Sequence, residues 1–242
     1  MQEFVPLRVT FRFSAPVAAE SDYPIHLDDL LAAAAVRENE RMLFDGEADD
    51  DPDYNPWDAT PQMSGLLGVA EGADDWCWQA SRLVFTPMSD RFLVSAIRRC
   101  DPEHYRLAME RTVTVGGEDL PLVKTRKTAI NTRSGQQRGY QFFWSLQWME
   151  KAEAWCVGDP DAIADLLRGL PAIGKIRRNG FGTIADVSVE PCAEAADRWR
   201  LRVLPDGIEG MAAAVYERAR HNPRPPYWRK TTMKPLREPV TW

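Results

Sequence analysis

Cysteine and histidine are scarce in this chain. Its four cysteines (Cys77, Cys100, Cys156 and Cys192) lie far apart with no C-x-x-C pair, which excludes the spacing of a zinc site or a disulfide framework and leaves reduced, buried thiols. The three histidines, His26, His104 and His221, are the side chains whose ordinary pKa suits acid–base work near neutrality, yet none stands in a motif with a nucleophile or a metal ligand. Neither a signal-peptide core nor an apolar run long enough to span a bilayer is present, so a soluble, cytoplasmic protein with no membrane partner is expected. No cofactor or metal motif appears.

What is present is an uneven charge. The net charge is −6, but residues 1–119 hold 10 basic and 23 acidic residues, a net of −13, whereas residues 120–242 hold 20 and 13, a net of +7. Much of the negative charge lies between Glu38 and Asp58, where Asp49-Asp50-Asp51-Pro-Asp53 is a run of like charge. Such a run repels phosphate and reads as a solvated loop, with a carboxylate cluster for a divalent metal as the rival. Residues 120–149 contain five cations (Lys124, Arg126, Lys127, Arg133 and Arg138) and no carboxylate.

Residues 4–13 alternate apolar Leu7, Val9, Phe11 and Phe13 with Arg8, Thr10 and Arg12, the pattern of a half-buried strand. A helix follows, with Asp28 or a neighbour as its cap and Leu30, Leu31, Ala34 and Ala35 on one face. Residues 42–75 hold no sustained period and read as an acidic insertion with a short helix near 63–69. Residues 76–85 and 91–99 read as a hairpin turning at 86–90, and 110–123 as a ribbon turning at Gly116-Gly117.

The polar, basic stretch to Arg138 completes a finger over about 110–139. An aromatic strand from Tyr140 comes next, then a short apolar stretch at 154–157. A helix over 161–169 has Asp159 as N-cap and Pro160 at its first position, and a strand spans 183–190. Residues 199–204 read as an added strand and 211–220 as a short helix. The tail, 222–242, has five prolines and five cations and reads as an extended segment that wraps the domain or docks a partner. The whole predicts one elaborated α+β domain over 1–242. Its expected core is β-α-β-β-α-β, ferredoxin-like (RRM-like), carrying the basic hairpin or finger and the acidic loop.

Between that second helix and its following strand lies Gly174-Lys-Ile-Arg-Arg-Asn-Gly-Phe-Gly182. Phosphate-binding glycine loops precede a helix and use its N-terminus, whereas this one follows a helix. Lys175, Arg177 and Arg178 and the loop amides would therefore have to hold any anion. Two readings stand: an anion cradle, or a basic turn whose glycines let the chain reverse. Tyr140 and Phe142 after the finger, and Phe181 in the loop, are either half-core residues or platforms for unpaired bases.

The loop Gly174-x-x-x-x-x-Gly180-Phe181-Gly182 with its following strand resembles the C-terminal signature of the CRISPR-associated RAMP superfamily of RNA-binding proteins. Pro24-Ile-His-Leu-Asp-Asp-Leu-Leu-Ala32 is similar to the opening of that superfamily's first helix. The tail Arg224-Pro-Pro-Tyr-Trp228 resembles that of the type IV effector subunit that binds the crRNA 5′ handle. The resemblance implies a subunit capping the guide RNA (crRNA), with backbone and large subunits as neighbours and target DNA met indirectly. It maps the glycine loop onto Gly174, Lys175, Arg177, Arg178, Gly180, Phe181 and Gly182, and a protruding thumb onto the finger around Lys124 to Arg138. The superfamily also contains metal-independent endoribonucleases that process crRNA. Here His26, expected at the helix end facing the RNA groove, and His104 are the candidate acid–base groups. A scaffold that binds proteins and no RNA is the third possibility.

Overall fold

The computed structural model describes residues 4–18, 24–45, 55, 57–98, 112–115, 118–121, 139–227 and 229–241. Period-two patterning builds its central sheet. In β1 (Val5–Phe13) Leu7, Val9 and Phe11 are fully buried, while Arg8, Thr10 and Arg12 lie on the opposite face. Burying three such side chains is worth on the order of 5–9 kcal/mol. β9 (Met149–Gly158) runs antiparallel beside it, placing Ala152, Ala154 and Cys156 opposite Phe11, Val9 and Leu7. β10 (Ile184–Pro191) pairs with the other edge of β1, and β4 (Val84–Pro87) with the outer edge of β9, giving the order β10-β1-β9-β4.

Helices cover one face. α1 (Leu27–Asp45) buries Leu27, Leu30, Leu31, Ala34 and Ala35, an i, i+3, i+4, i+7, i+8 stripe. α3 (Pro160–Arg168) adds Ile163 and Leu167, and with Met63 of α2 (Thr60–Ser64) they form one core with β1 and β9. α3 begins as its sequence dictates: the Asp159 carboxylate accepts from the Ala162 amide at 2.9 Å, and Pro160 occupies the first turn. Taken with the two long helices, the sheet strands follow one another as β1-α1-β4-β9-α3-β10, all neighbours antiparallel. The α+β class is thus present. On the other face Trp155 of β9 packs with Ala195 of α4 (Ala195–Arg198), Leu201 and Met211. Burial pushes the Cys156 thiol up to about 12 and raises that of Cys77, so both are inert thiols.

Several local expectations give way to tertiary pairing. The hairpin expected from 76–85 and 91–99 does not form. β3 (Trp76–Trp78) pairs instead with β2 (Val69–Glu71), β4 joins β9, and β5 (Phe92–Arg98) pairs with β8 (Tyr140–Leu146). The irregular stretch expected over 42–75 is shorter than expected, because α1 continues to Asp45, α2 occupies 60–64 and β2 begins at Val69. Asp28 is no cap: it lies inside the first turn of α1, fully buried. Residues 199–204 form no strand, since Arg202, which alternation would turn to solvent, is fully buried with its neighbours Leu201 and Val203. Residues 211–220 form no helix. β11 (Val215–His221) pairs in register with β12 (Lys234–Thr241) of the tail, and a ten-residue helix isolated in sequence is marginal against such a ladder.

The ribbon expected from 110–123 is present as β6 (Thr112–Val115) and β7 (Glu118–Pro121). Residues 1–91 with 147–242 make one compact unit and residues 92–146 a second. Among the described residues no helix is long and apolar enough to cross a membrane.

Candidate nucleic-acid interface

The glycine loop is closed at its base by backbone bonds. The Ile173 amide donates to the Gly182 carbonyl at 2.9 Å and the Ile184 amide to Pro171 at 3.0 Å. Its flank is stitched to the end of β1: the Gly182 amide donates to Pro16 at 2.8 Å, Lys175 to Ala18 at 3.2 Å, and Ser14 to Thr183 at 3.0 Å. Two glycines show different reasons for their identity. A Cβ on Gly182 would overlap the Ile173 carbonyl oxygen, so close approach excludes any side chain there. Gly180 has open space around it but a φ of 82°, so only its conformation asks for glycine.

Between these anchors, Arg177–Asn179 form a single 3-10 turn entered through Ile176 at a φ of 57°. Lys175, Arg177 and Arg178 are all exposed and Phe181 is half-buried. The amides of Lys175, Asn179, Gly180 and Gly182 are already committed to carbonyls. Those four amides are therefore not free to hold an anion as the sequence allowed, which leaves the side-chain cations as the groups that could. The charge of Arg177 is felt at the first turn of α1. Burial and the neighbouring Asp28 raise the Asp29 carboxyl to about 6, and the Arg177 guanidinium opposes that shift.

The remaining candidates are scattered. Lys124, Arg126, Lys127, Arg133 and Arg138 of the finger, His104 and most of the acidic run lie outside the described residues. Tyr140 opens β8, 43% exposed and tilted against Phe142 with ring centres 5.4 Å apart. His26 does not face a groove. It is 2% exposed, stacked on Tyr227 at 4.4 Å, and burial together with the Arg202 and Arg82 charges drives its pKa well below the ordinary value. A neutral ring sealed from solvent is not placed to exchange protons with a substrate. His221 is held by Glu238 at 2.8 Å.

The sequence reading missed the polar centre of this unit. Arg202, fully buried, donates to Asp28 Oδ2 at 3.2 Å, to the carbonyls of Trp78, Ala80 and Pro223 at 2.6, 3.0 and 2.6 Å, and to the Tyr227 hydroxyl at 2.6 Å. The Tyr227 hydroxyl in turn donates to Asp28 Oδ2 at 2.7 Å. Burial disfavours the Arg202 charge, but the Asp28 carboxylate and Tyr227 hold its pKa above the ordinary value. The helix opening at Asp28 and the tail at Pro223 and Tyr227 therefore meet in space through Arg202. The available signal was a lone arginine in the apolar run Leu201-Arg-Val-Leu204.

No curated protein matches the chain in a sequence search. A protein-family model does match, over residues 5–239, and its description is CRISPR type IV associated protein Csf3. The match takes in the sheet, the glycine loop and both motifs that meet at Arg202, and on it the chain belongs to the Csf3 family of CRISPR type IV associated proteins.

Proposed function

We propose that this chain is a structural subunit of a type IV CRISPR ribonucleoprotein that caps the 5′ handle of the guide RNA. The four-stranded sheet is read as the ferredoxin-like core of a RAMP protein, with the glycine loop feeding its edge strand β10. The observation that carries the reading is the exposure of Lys175, Arg177 and Arg178 on one short turn whose base and flank are fixed by backbone bonds. Cations on a fixed backbone neutralise phosphates and release counterions without reading sequence, the requirement for gripping an RNA strand at a set register. Lys124, Arg126, Lys127, Arg133 and Arg138 would extend the phosphate contacts, and Tyr140 and Phe181 would supply stacking surfaces. Backbone and large subunits are the protein neighbours in this reading, and target DNA is met only through the guide.

The test is the combined variant Lys175→Ala, Arg177→Ala, Arg178→Ala, titrated with single-stranded repeat RNA over a range of salt. Loss of three phosphate contacts lowers the slope of log K against log salt by about 2 and weakens binding about tenfold or more at low salt. Unchanged affinity and slope would leave the loop as a turn and refute the reading. Metal-free cutting of the same RNA by the unaltered chain would replace it with an endoribonuclease, and absent or salt-independent binding with a protein scaffold.

A further inference from the structure

A second candidate site includes Asp29, whose carboxyl feels the Arg177 charge. A cleft of about 680 Å³, within the range of small-ligand pockets, opens between α1, the segment ahead of α2 with Met63, Trp76 and Trp78 of β3, and the tail residues 224–226 and 229. Its functional groups are Asp29, Trp57, Asp58, Trp76, Arg224 and Arg229. We propose that this cleft binds a single guanine nucleotide of the RNA, the base stacked on tryptophan and its hydrogen-bonding edge read by a carboxylate. The ligand class rests on the guide-RNA reading above; the pocket chemistry stands on its own geometry.

Trp57 is 70% exposed, yet it is fastened: its indole N–H donates to Glu40 at 3.2 Å and its amide to the Asn55 side chain at 3.1 Å. An exposed aromatic in the cleft lining, fastened through both its indole and its backbone, is a stacking platform whose ordering cost is largely met. Trp76 is half-buried, supported edge-on by the buried Trp78 at 4.8 Å. Among the described residues Asp29 receives no hydrogen bond, and none of them occupies the oxygens of its carboxylate in the cleft lining. Asp58 is partly used, accepting from the Thr60 amide at 2.9 Å.

A carboxylate selects among bases by donor geometry. Guanine offers two adjacent donors, the ring N–H and the exocyclic amine, which one carboxylate accepts together; adenine, cytosine and uracil each set an acceptor beside their donor and meet repulsion. A basic peptide side chain is the rival occupant, since tryptophans and carboxylates also cage cations. The cation position on Trp76 is already taken. The Arg224 guanidinium lies 3.9 Å from its ring centre, fixed by Asp75 at 2.6 Å and the Trp76 carbonyl at 2.7 Å. Arg229 adds a second positive charge, exposed, which repels another cation and suits the nucleotide's phosphate.

The experiment titrates the full chain with 5′-GMP, AMP, CMP and UMP, and with N-acetyl-arginine amide as cationic probe, by calorimetry. GMP is expected to bind about tenfold or more tighter than AMP, the size of one well-formed base-edge pair. Asp29→Asn should erase that preference, Trp57→Ala should weaken GMP about tenfold, and Trp57→Phe should restore most of the loss. The double variant Lys175→Ala, Arg178→Ala, which keeps the Arg177 charge acting on Asp29, should weaken strand binding and keep the GMP preference, so failure of the strand-binding reading and failure of this one are distinguishable. No GMP preference, a preference that survives Asp29→Asn, or saturation by the arginine probe in place of GMP would overturn the proposal.

Discussion

Replacing Arg202 with methionine keeps most of the buried stem and deletes every charge-assisted bond at the centre of the larger unit. Asp28, fully buried, would retain only the Tyr227 hydroxyl, and the carbonyls of Trp78, Ala80 and Pro223 would lose a donor in an interior without exposure. Removing one partner of a buried pair costs about 3–5 kcal/mol, a large share of the roughly 5–15 kcal/mol that holds a domain together. At about 2–4 °C per kcal/mol for a chain of this size, the melting temperature should fall by roughly 6–20 °C.

Tyr227→Phe removes only a hydroxyl that both accepts from Arg202 and donates to Asp28. It should cost about 1–3 kcal/mol. The double variant Asp28→Leu, Arg202→Met takes away both charges, so its loss should be smaller than the sum of the singles by about 1–3 kcal/mol. Urea unfolding followed by far-UV circular dichroism measures the unaltered chain, Arg202→Met, Tyr227→Phe, Asp28→Leu and the double variant. A loss below about 1 kcal/mol for Arg202→Met, or strict additivity in the double variant, would refute the view that these groups form one interdependent lock.

Two further outcomes follow from the loop and its neighbour. Gly182→Ala forces a methyl into the Ile173 carbonyl and should destabilise by about 3 kcal/mol or more, whereas Gly180→Ala meets open space and should cost only about 1–2 kcal/mol for its positive φ; equal losses in thermal melts would contradict the contact argument. Asp29, with its native pKa raised to about 6, binds more protons in the folded than in the unfolded state between about pH 4 and 6. Stability contributed by its protonated form is therefore lost as pH rises through that window. Asp29→Asn should match the unaltered chain near pH 4 and be more stable by about 1–2 kcal/mol at pH 7.5, after discounting for partial exposure; a gain that is the same at both pH values, in urea midpoints, would exclude this cause.

The site was legible in parts. Three glycines and three cations in nine residues marked the loop, and the structure exposes those cations on a turn. What the spacing did not carry was how the amides are used. Asn179 and Gly180 bond within the loop, but the partners of Lys175 and Gly182, Ala18 and Pro16, lie over 150 residues away in the chain and come beside the loop because β10 pairs with β1. Separation along the chain also hid the Trp57–Trp76 cleft, whose walls come from four stretches. His26 misled because its position ahead of a helix says nothing about Tyr227 stacking over it from the tail.

The sequence by itself determined what depends on near neighbours. Alternation specified the buried face of β1, the Asp159-Pro160 pair started α3, and the loop glycines declared positions where a side chain is strained or crowded. All of these follow from backbone period, capping or φ, and are settled within a few residues. Tertiary structure decided the rest: that β4 leaves a local hairpin for β9, that 215–221 is a strand because 234–241 lies beside it, and that Arg202 turns inward. In each case the local preference is worth a few tenths of a kcal/mol per residue, while a partner far along the chain supplies a full ladder or a buried charge pair, and the stronger interaction prevails.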